Sequence, residues 1–346
     1  MNAPGPAKQH QQSGYVLPLT LAVLVMMTLI AAQVGRVSGI ALETVISARQ
    51  KIQNEYAMES AKAEILHILA LAPRTQRGIG SGPQAIVPDG RTYEVNPSIR
   101  VRFQDLRGLM PLNTSLESPA PRERLESLLR TYGISKDKIN AMVDALYDYR
   151  DKDDLQRING AEKKLYTEAG ILAPRNSDLL DTTEINRILG WAEESHRWAL
   201  DDIQQHLSVE LAQAFNPNTA TARVIAAMTG MGLSDAQALV KQRRTVPDTD
   251  LAPLLYSNLG DPFGNSGFVL RSTGPNIKIT LWHHKQPWAW EFVVYHTPDE
   301  LAGPWRITNF RQVPLQPELI PGLPPRMLPA LKELRDLAMP RIEYRF

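Results

Sequence analysis

Length, composition and charge limit what this chain can be. It has 346 residues, of which 43% are apolar and 22% are charged, and its net charge is +1. These proportions are typical of a chain that folds around a core and is long enough for one large domain or two modest ones. The chain has no cysteine, which excludes disulfides, thiolate metal sites and thiol nucleophiles. A net charge so close to zero creates no global field that would attract nucleic acid.

A polar segment followed by a long apolar run opens the sequence. Residues 1–14 contain Lys8 but no acidic residue, and the first acid in the chain is Glu43. Nearly every residue from 15 to 34 is apolar, and about 20 apolar residues can cross the hydrocarbon of a bilayer as a helix. Because the positive charge precedes the run, the pattern predicts a cytoplasmic N-terminus, a single membrane span and an exported body.

Three interpretations of this segment are open. A secretory signal peptide would have a shorter apolar core followed by a small-residue cleavage site, for which Ala31, Ala32 and Gly35 offer only a weak version. A plain single-pass anchor would need no cleavage. The third interpretation is a type IV pilin-like signal, which is cut before the apolar run. It also accounts for the glycine and the aromatic residue at the boundary, Gly14 and Tyr15.

Helical spacing continues beyond the apolar run. Apolar residues recur at steps of three, four or seven, as Val45, Ile52, Tyr56, Ala63, Leu66 and Leu69. The pattern predicts one helix over residues 15–71, ended by Pro73. Such a helix is much longer than an average globular helix.

The rest of the chain alternates between strand-like and helix-like patterns. Residues 85–104 alternate, residues 111–250 have helical spacing, and residues 267–312 alternate again. The proline-rich residues that follow contain one short helical stretch at 328–337. Turns are expected at three pairs that contain glycine: Asp89-Gly90, Gly274-Pro275 and Gly303-Pro304.

These patterns predict an α+β fold class. A long N-terminal pilin-like helix would pack on a small antiparallel sheet, with a large all-helical domain of helix-hairpin-helix or SAM-like type inserted between strands. The two strand regions are expected to share one sheet, because sequential strands usually lie side by side. The predicted segments are a leader (1–14), the membrane and pilin-like helix (15–72), the first part of the sheet domain (73–108), the helical insert (109–250), the second part of the sheet domain (251–312) and a proline-rich tail (313–346).

Two segments of the insert resemble each other. Each begins with an Asn-Thr pair, Asn113-Thr114 or Asn218-Thr219, and both residue types are good N-caps of helices. Each continues as helix, glycine turn and helix, with Gly133-Ile134-Ser135 matching Gly232-Leu233-Ser234. The second segment has the pattern of a helix-hairpin-helix. This motif serves as a compact packing unit or binds DNA phosphates through amides at a helix N-terminus.

A membrane-anchored extracytoplasmic protein that binds or takes up DNA is therefore the alternative function. Arg223, Lys241, Arg243 and Arg244 would supply its positive charge. However, no Lys or Arg lies between Arg223 and Lys241, and DNA affinity depends mostly on phosphate neutralisation. Nucleic acid is not an expected partner.

An acidic stretch lies between the two repeats. Its candidate calcium ligands are Asp151, Asp153, Asp154 and Glu162. The first, second and last of these have the spacing of positions one, three and twelve of a calcium loop. Leu155 and Gln156 stand where such a loop needs an oxygen ligand and a glycine, so the stretch is not a standard EF-hand. The alternative is a solvated acidic loop balanced by the basic residues Lys152, Arg157, Lys163 and Lys164.

The sequence has no motif of a common catalytic site: no Walker loop, GxSxG, HExxH or Rossmann glycine pattern. His283 and His284 are adjacent in a strand-like stretch. Neighbouring strand residues point to opposite faces, so these two are not expected to share a metal. The sequence predicts a protein that is not an enzyme.

Several of these features resemble one protein family. The Gly14-Tyr15 boundary resembles the site of prepilin peptidase, where cleavage follows a glycine and the new N-terminal aromatic residue is methylated. The acidic stretch that ends in Gly160-Ala161-Glu162, and the segment Asn216-Pro217-Asn218-Thr219-Ala220, resemble stretches of the protein K family. The sequence is therefore similar to the minor pseudopilins of bacterial type II secretion systems, and among them to protein K.

This resemblance implies a location, a set of partners and a role. The chain would be cleaved after Gly14, methylated at Tyr15 and held in the inner membrane with its body in the periplasm. Calcium would be bound in the helical insert, and no other cofactor is implied. The implied role is to cap the tip of the periplasmic pseudopilus and to help initiate its assembly for export across the outer membrane. The implied partners are minor pseudopilins of the protein I and protein J types, the major pseudopilin, prepilin peptidase, the inner-membrane assembly platform, membrane lipid and the secreted substrate.

One departure from the pilin pattern concerns the fifth mature residue. Pilins usually carry glutamate there, and its carboxylate meets the free amine of the subunit above, whereas this chain has Leu19. A carboxylate in lipid is costly unless it is paired, and a subunit with nothing above it finds no amine. Leu19 therefore fits a tip subunit, although in a plain anchor it would be an ordinary membrane leucine.

Overall fold

The computed structural model describes most of the chain. The described residues are 15–76, 78–81, 83–113, 119–198, 202–210, 215–246, 250–251, 272–318 and 324–335. The predicted leader, with Gly14, and the predicted strand pattern at 267–271 lie outside these residues. The chain divides into two units, Met1–Ala57 and Met58–Phe346.

A single helix, α1 (Val16–Leu71), spans 56 residues, and the predicted long helix is confirmed. By length and composition it contains a segment able to cross a membrane. Pro18 lies in the first turn, where its missing amide has no helical partner to lose. The helix ends two residues before Pro73, which cannot continue it. Its buried residues all lie near this end: Met58, Ala61, Ile65, Leu66, Ile68 and Leu69.

Six strands of the described residues form one sheet: β1 (Asp89–Asn96), β2 (Ile99–Asp105), β5 (Asn276–His283), β6 (Trp288–His296), β7 (Trp305–Pro314) and β8 (Arg326–Met327). Their order across the sheet is β7-β6-β5-β2-β1-β8. All pairs are antiparallel except β1–β8, which is parallel. The predicted α+β class is confirmed, and the proline-rich C-terminal region adds the parallel edge strand.

The predicted turn at Asp89-Gly90 is wrong. These two residues begin β1, and the turn between β1 and β2 lies at residues 97–98. The side chain of Asn96 makes this turn, because its Oδ1 accepts the amides of Ser98 and Ile99. Gly90 has a φ of +79° and lies where the β1–β2 register shifts. The Asp-Gly signal therefore marks a bulge, which also uses a left-handed glycine.

The strands before and after the helical region are neighbours in the sheet. β2 pairs with β5 from Ile99 opposite His283 to Asp105 opposite Ile277. The chain therefore leaves the sheet after Asp105 and returns to it at Asn276. The helical region lies between these two points.

The described residues of the helical region form an apolar core of their own. They include the α-helices α2 (Pro119–Arg130), α3 (Lys136–Arg150), α4 (Lys163–Glu168), α5 (Ala222–Thr229) and α6 (Leu233–Thr245). Short 3₁₀ turns and a two-residue parallel pair, β3 (Met110–Pro111) with β4 (Leu207–Ser208), complete it. Trp191 is fully buried in this core, and its indole donates a hydrogen bond to the Met142 carbonyl over 2.8 Å.

The two faces of the sheet have different neighbours. One face carries the buried side chains of Phe103, Ile279 and Phe292, and Lys62 of α1 lies over the Trp290 ring on that side. The opposite face meets the helical region through side-chain hydrogen bonds. These are Gln104 to the Thr219 carbonyl and Lys278 to the Gln204 carbonyl.

A short helix, α7 (Leu331–Arg335), follows β8. It lies within the predicted helical stretch at 328–337. Leu334 is buried and its carbonyl accepts the amide of Ser81, so the C-terminal region is fixed to the loop that follows α1.

Candidate functional site

An acidic loop, residues 148–162, joins the end of α3 to the start of α4. Arg157 lies at its centre. The backbone amide of Arg157 donates to Asp148 Oδ2 over 3.1 Å, and its guanidinium donates to Asp148 Oδ1 over 2.6 Å and also to Asp151 Oδ2. The same guanidinium lies 5.5 Å from the centre of the Tyr147 ring. One arginine therefore holds together the two carboxylates at the C-terminal end of α3.

Glu162 closes the loop and is 94% buried, with a relative exposure of 6%. Neither of its carboxylate oxygens accepts a well-formed hydrogen bond from the described part of the chain, and Asp151 Oδ1 is unpartnered in the same way. Burial, followed by the negative charges of Asp148 and Asp151, raises the pKa of Glu162 to about 7. A buried carboxylate without a partner is costly, so this end of the loop lacks positive charge.

The predicted calcium ligands divide into two groups. Asp151 and Glu162 belong to the buried cluster, whereas Asp153 and Asp154 are exposed. Asp153 Oδ1 accepts the amide of Leu155, and Asp154 Oδ1 accepts the Asn176 side chain. Within the described ranges, no three Asp, Glu or His side chains are arranged to hold a metal as they stand. Arg157 occupies the space between two of the acids.

Asp148 is the member of the cluster that the sequence analysis missed. Its position inside α3 made it look like one more helical residue, although its side chain is fully buried. Gly160 was the residue in the sequence that could have pointed to this buried carboxylate. A Cβ atom at Gly160 would lie 1.9 Å from Asp148 Oδ2, so only glycine allows the backbone to approach this carboxylate.

The acidic loop has the donor chemistry that a divalent cation needs, although its side chains are not arranged around one. Asp148, Asp151 and Glu162 carry more negative charge than one guanidinium neutralises, and three of their buried oxygens are unpartnered. Carboxylate oxygens are the ligands that Ca²⁺ prefers. The residues that would hold it are Asp151, Glu162 and Asp148.

The segment Asn216–Ala220 forms a hydrogen-bonded contact, called here the polar latch. It lies at the neck, the place where the chain passes between the sheet and the helical region. Asp105, the last residue of β2, is fully buried. Its Oδ2 accepts hydrogen bonds from the Asn216 side chain (3.1 Å), the Thr219 hydroxyl (3.2 Å) and the Gly274 amide (3.1 Å). One carboxylate thus binds the strand that leaves the sheet, the hairpin motif and the segment that returns.

The two asparagines predicted as N-caps have other partners, and Thr114 of the first predicted pair lies outside the described residues. Asn218 uses its side chain to bind Asp250 and the Leu251 amide, and the N-cap of α5 is Thr221. Asn113 binds the backbone of Leu179 and does not lie next to α2. Both asparagines join distant segments, and neither caps a helix.

A second latch is a buried ionic cluster around Asp89. Arg91 donates to Asp89 through Nε and Nη2 over 2.8 and 2.9 Å, while Arg243 and Arg244 of α6 lie 3.5 and 3.4 Å from its Oδ2. Burial of Asp89 would raise its pKa, but the charges of Arg244 and Arg91 hold the pKa well below its usual range. Burial lowers the pKa of Arg243 to about 10.

The hairpin α5–α6 turns through Gly230, which has a φ of +74°, and the two helices pack on each other. Its basic residues are mostly engaged inside the protein. Arg243 and Arg244 are buried, and Arg223 donates to the Thr131 carbonyl over 2.6 Å and lies over the Tyr132 ring. Lys241 is exposed. Three of the four candidate phosphate ligands thus face the protein interior or its own backbone, which disfavours the DNA alternative.

The predicted separation of His283 and His284 is also wrong. Their rings stack with centres 5.0 Å apart and an interplanar angle of 21°. The reason is that β5 ends at His283, so His284 lies in the turn toward β6 and no longer obeys strand alternation.

The apolar side chains of the predicted membrane segment are exposed in α1. Tyr15 and Leu19 have relative exposures of 74% and 66%. In water such a continuous apolar surface would be unfavourable, so it requires lipid or other helices around it. The segment is compatible with a single-pass membrane anchor.

Two family models match the chain, over residues 105–199 and 215–267, and both are described as type II secretion system (T2SS), protein K. The type II secretion system protein K of Pectobacterium carotovorum subsp. carotovorum is 25% identical over 271 residues, which are 73% of this chain and 82% of that protein. These matches support a type II secretion system protein K.

The fold of this chain also has a counterpart among solved structures. It is similar to a chain in the crystal structure of the GspK-GspI-GspJ complex from the type 2 secretion system of enterotoxigenic Escherichia coli, with a TM-score of 0.54 and 18% identity. The match covers 77% of this chain and 98% of that one. Protein K is a minor pseudopilin and a component of a secretion machine. The acidic loop lies within the residues that the family models match, as do Asp105 and Asn216 of the first latch and Arg243 and Arg244 of the second.

Proposed function

We propose that this protein K caps the tip of the periplasmic pseudopilus and helps start its assembly. The observation that carries the proposal is the attachment of the helical region to one face of the sheet. Asp105, Asp89 and Gln104 each bind a partner in the helical region. The body is therefore one broad head, because the helical region is tied to the sheet and cannot swing aside.

The width of this head favours a position at the end of a filament. In a shaft of stacked subunits every member has neighbours above and below it. A body that carries a whole helical domain on its sheet would clash with them, whereas the last subunit has one free side. Leu19 supports the same position, because a subunit with no neighbour above would leave a glutamate there unpaired in lipid.

The exposed apolar surface of α1 supports assembly through helices. Val45, Ile46 and Ile52 lie beyond the predicted span and are more than half exposed. Helices of other pseudopilins would cover them. The solved relative was crystallised with GspI and GspJ, which supports partners of the protein I and protein J types. The major pseudopilin, prepilin peptidase and the inner-membrane platform complete the proposed set.

The acidic loop is proposed to bind Ca²⁺ through Asp151, Glu162 and Asp148. The cation would neutralise buried carboxylates and tie the end of α3 to the start of α4, since Glu162 is the N-cap residue of α4 and makes no capping hydrogen bond itself. Its role would be structural, because it would order the part of the head that lies between the two repeats.

Cysteine crosslinking in cells tests the assembly proposal. The chain has no cysteine of its own, so Ile46→Cys or Ile52→Cys places a single thiol on α1. We expect oxidative crosslinks to protein I-type or protein J-type subunits that carry a matching cysteine. A cysteine at exposed Asn186, in the helical region, is the control and should give none of them.

Two measurements test the tip position and the pilin-type anchor: the location of labelled protein in the pseudopilus and the chemistry of the mature N-terminus. Labelled protein K should appear at one end of isolated pseudopili, and mass spectrometry of the purified membrane protein should find an N-terminal methylated Tyr15. Label along the whole shaft would contradict the tip role. A mature N-terminus at Met1 would contradict pilin-type processing.

A further inference from the structure

The loop that follows α1 contains a buried positive charge without a partner. All three guanidinium nitrogens of Arg74 are buried, and none of them donates a hydrogen bond within the part of the chain that the structure describes. Burial lowers the pKa of Arg74 to about 10, so the group stays charged at neutral pH. A buried charge that lacks a counter-charge is strongly destabilising, and an unsatisfied buried group in a folded protein points to a bound water or ion.

Backbone contacts hold the loop around Arg74 in place. Arg74 forms an antiparallel bridge with Ile79, which is fully buried. The next residue, Thr75, accepts the amide of Thr273 at its carbonyl over 3.1 Å, and Thr273 belongs to the segment that returns from the helical region to the sheet. The side chain of Arg74 therefore extends from an ordered backbone at the place where the end of α1 and the neck meet.

Asp105 in the neck is the acid whose charge reaches Arg74, but its carboxylate is already engaged. Its Oδ1 accepts the Arg107 amide over 3.0 Å, and its Oδ2 accepts the three donors of the polar latch. It receives no hydrogen bond from Arg74. Asp105 thus reduces the cost of burying the positive charge but leaves all the guanidinium donors free for another acceptor.

The surroundings of the guanidinium favour a small acceptor. Arg74 as a whole residue has intermediate exposure, so its side chain lies close to the surface, where an ion from solvent can reach it. The guanidinium nitrogens themselves are enclosed. A phosphate or a side chain of a partner protein would have to open the loop, whereas a monatomic anion needs the least space and accepts from the planar fork of donors.

We propose that Arg74 binds a small monovalent anion of the chloride class at the junction between the end of α1 and the neck. The anion neutralises the guanidinium and leaves the hydrogen bonds of Asp105 intact. Because the loop joins α1 to β1, the bound anion stabilises the attachment of the end of α1 to the head. The site shares no residue with the acidic loop and does not depend on the proposed tip role.

Thermal unfolding of the full-length chain in detergent tests the proposal. At constant ionic strength, sodium gluconate is replaced stepwise by sodium chloride, because gluconate is too large to be enclosed by the loop. We expect the unfolding midpoint of the natural chain to rise with chloride and then to level off. An anion at about ten times its dissociation constant shifts the folding equilibrium about elevenfold. A midpoint that is the same in both salts would overturn the proposal.

Arg74→Met removes the charge and keeps an unbranched side chain. We expect it to lose the chloride response and, in gluconate, to be at least as stable as the natural chain, because it buries no unpaired charge. Arg130→Met, at an exposed position, is the matched control for general salt effects and should respond to chloride as the natural chain does. If Arg74→Met is less stable than the natural chain in gluconate, Arg74 is paired inside the protein and the proposal is wrong.

Bromide locates the ion in the natural chain, so the proposal can be tested even if Arg74→Met does not fold. Crystals of the full-length chain soaked in sodium bromide should show an anomalous peak within hydrogen-bond distance of the Arg74 guanidinium. The absence of a peak there would contradict the site. A peak together with equal stability in chloride and gluconate would identify an adventitious ion only, and the proposal would then fail as well.

Discussion

Asn216 donates a hydrogen bond of 3.1 Å to Asp105, 111 residues earlier in the chain. Asp105 is the last residue of a strand, and Asn216 lies just ahead of the hairpin of the helical region. The bond therefore connects the two halves of the head at the point where the chain passes from one to the other. A motif that suggested nucleic-acid binding in the sequence is thus built into the neck of the protein.

Asn216→Ala should weaken this neck. The buried carboxylate of Asp105 would lose one donor and keep three, the Thr219 hydroxyl and the amides of Gly274 and Arg107, and an unsatisfied hydrogen bond to a charged group costs about 1–3 kcal/mol. We expect a fall of that size in the free energy of unfolding, measured by urea denaturation. Asn186→Ala, at an exposed position, is the control and should change stability by less than about 0.5 kcal/mol.

Asp89→Asn should have a larger effect. The substitution leaves Arg91, Arg243 and Arg244 without their common counter-charge, and breaking a buried ion pair in this way costs about 3–5 kcal/mol. The pKa of Asp89 is held below its usual range, so its contribution is complete above the unfolded pKa of about 3.9 and is lost as the pH falls through the folded pKa. Acid titration of stability below about pH 4 should therefore be steeper in the natural chain than in Asp89→Asn. Equal acid slopes would contradict the ionic latch.

Glu162→Gln should stabilise the metal-free protein near neutral pH. The pKa of Glu162 is raised to about 7, so the folded state binds a proton that the unfolded state has released above about pH 4.3. Stability from this group is complete at low pH and is lost as the pH rises toward 7. In the presence of a chelator at pH 8, Glu162→Gln should unfold with a free energy on the order of 1–3 kcal/mol higher. At pH 4 the two proteins should be alike, and addition of CaCl₂ at pH 8 should favour the natural chain.

Leu19→Glu should impair the proposed tip role. The new carboxylate would enter lipid with no amine above it to pair with, at a cost on the order of 2.5–3.5 kcal/mol. We expect a several-fold fall in secretion in cells that depend on this chain, measured by the amount of exported substrate. Leu19→Ala keeps the position apolar and should secrete normally. Normal secretion by Leu19→Glu would show that the absence of a carboxylate there has no part in the function.

Local sequence patterns determined several parts of this protein. The apolar run and the spacing that follows it predicted α1 to within a residue at each end, because a helix depends on contacts three and four residues apart. The alternating stretches predicted strands on both sides of the helical region for a similar reason. The family resemblance was already carried by short motifs, such as Gly160-Ala161-Glu162 and the segment Asn216–Ala220.

Only the tertiary structure decided what those motifs contact. Arg243 and Arg244 look like surface charges in the sequence, but they pair with Asp89, which lies more than 150 residues earlier. Asp148 resembles any helical aspartate until the fold places Gly160 against it. Burial and ion pairing depend on distant segments that the sheet brings together. The spacing of hydrophobic residues does not indicate which distant residue a side chain will contact. For this reason the elements followed from the sequence, whereas the latches and the place of Arg157 required the fold.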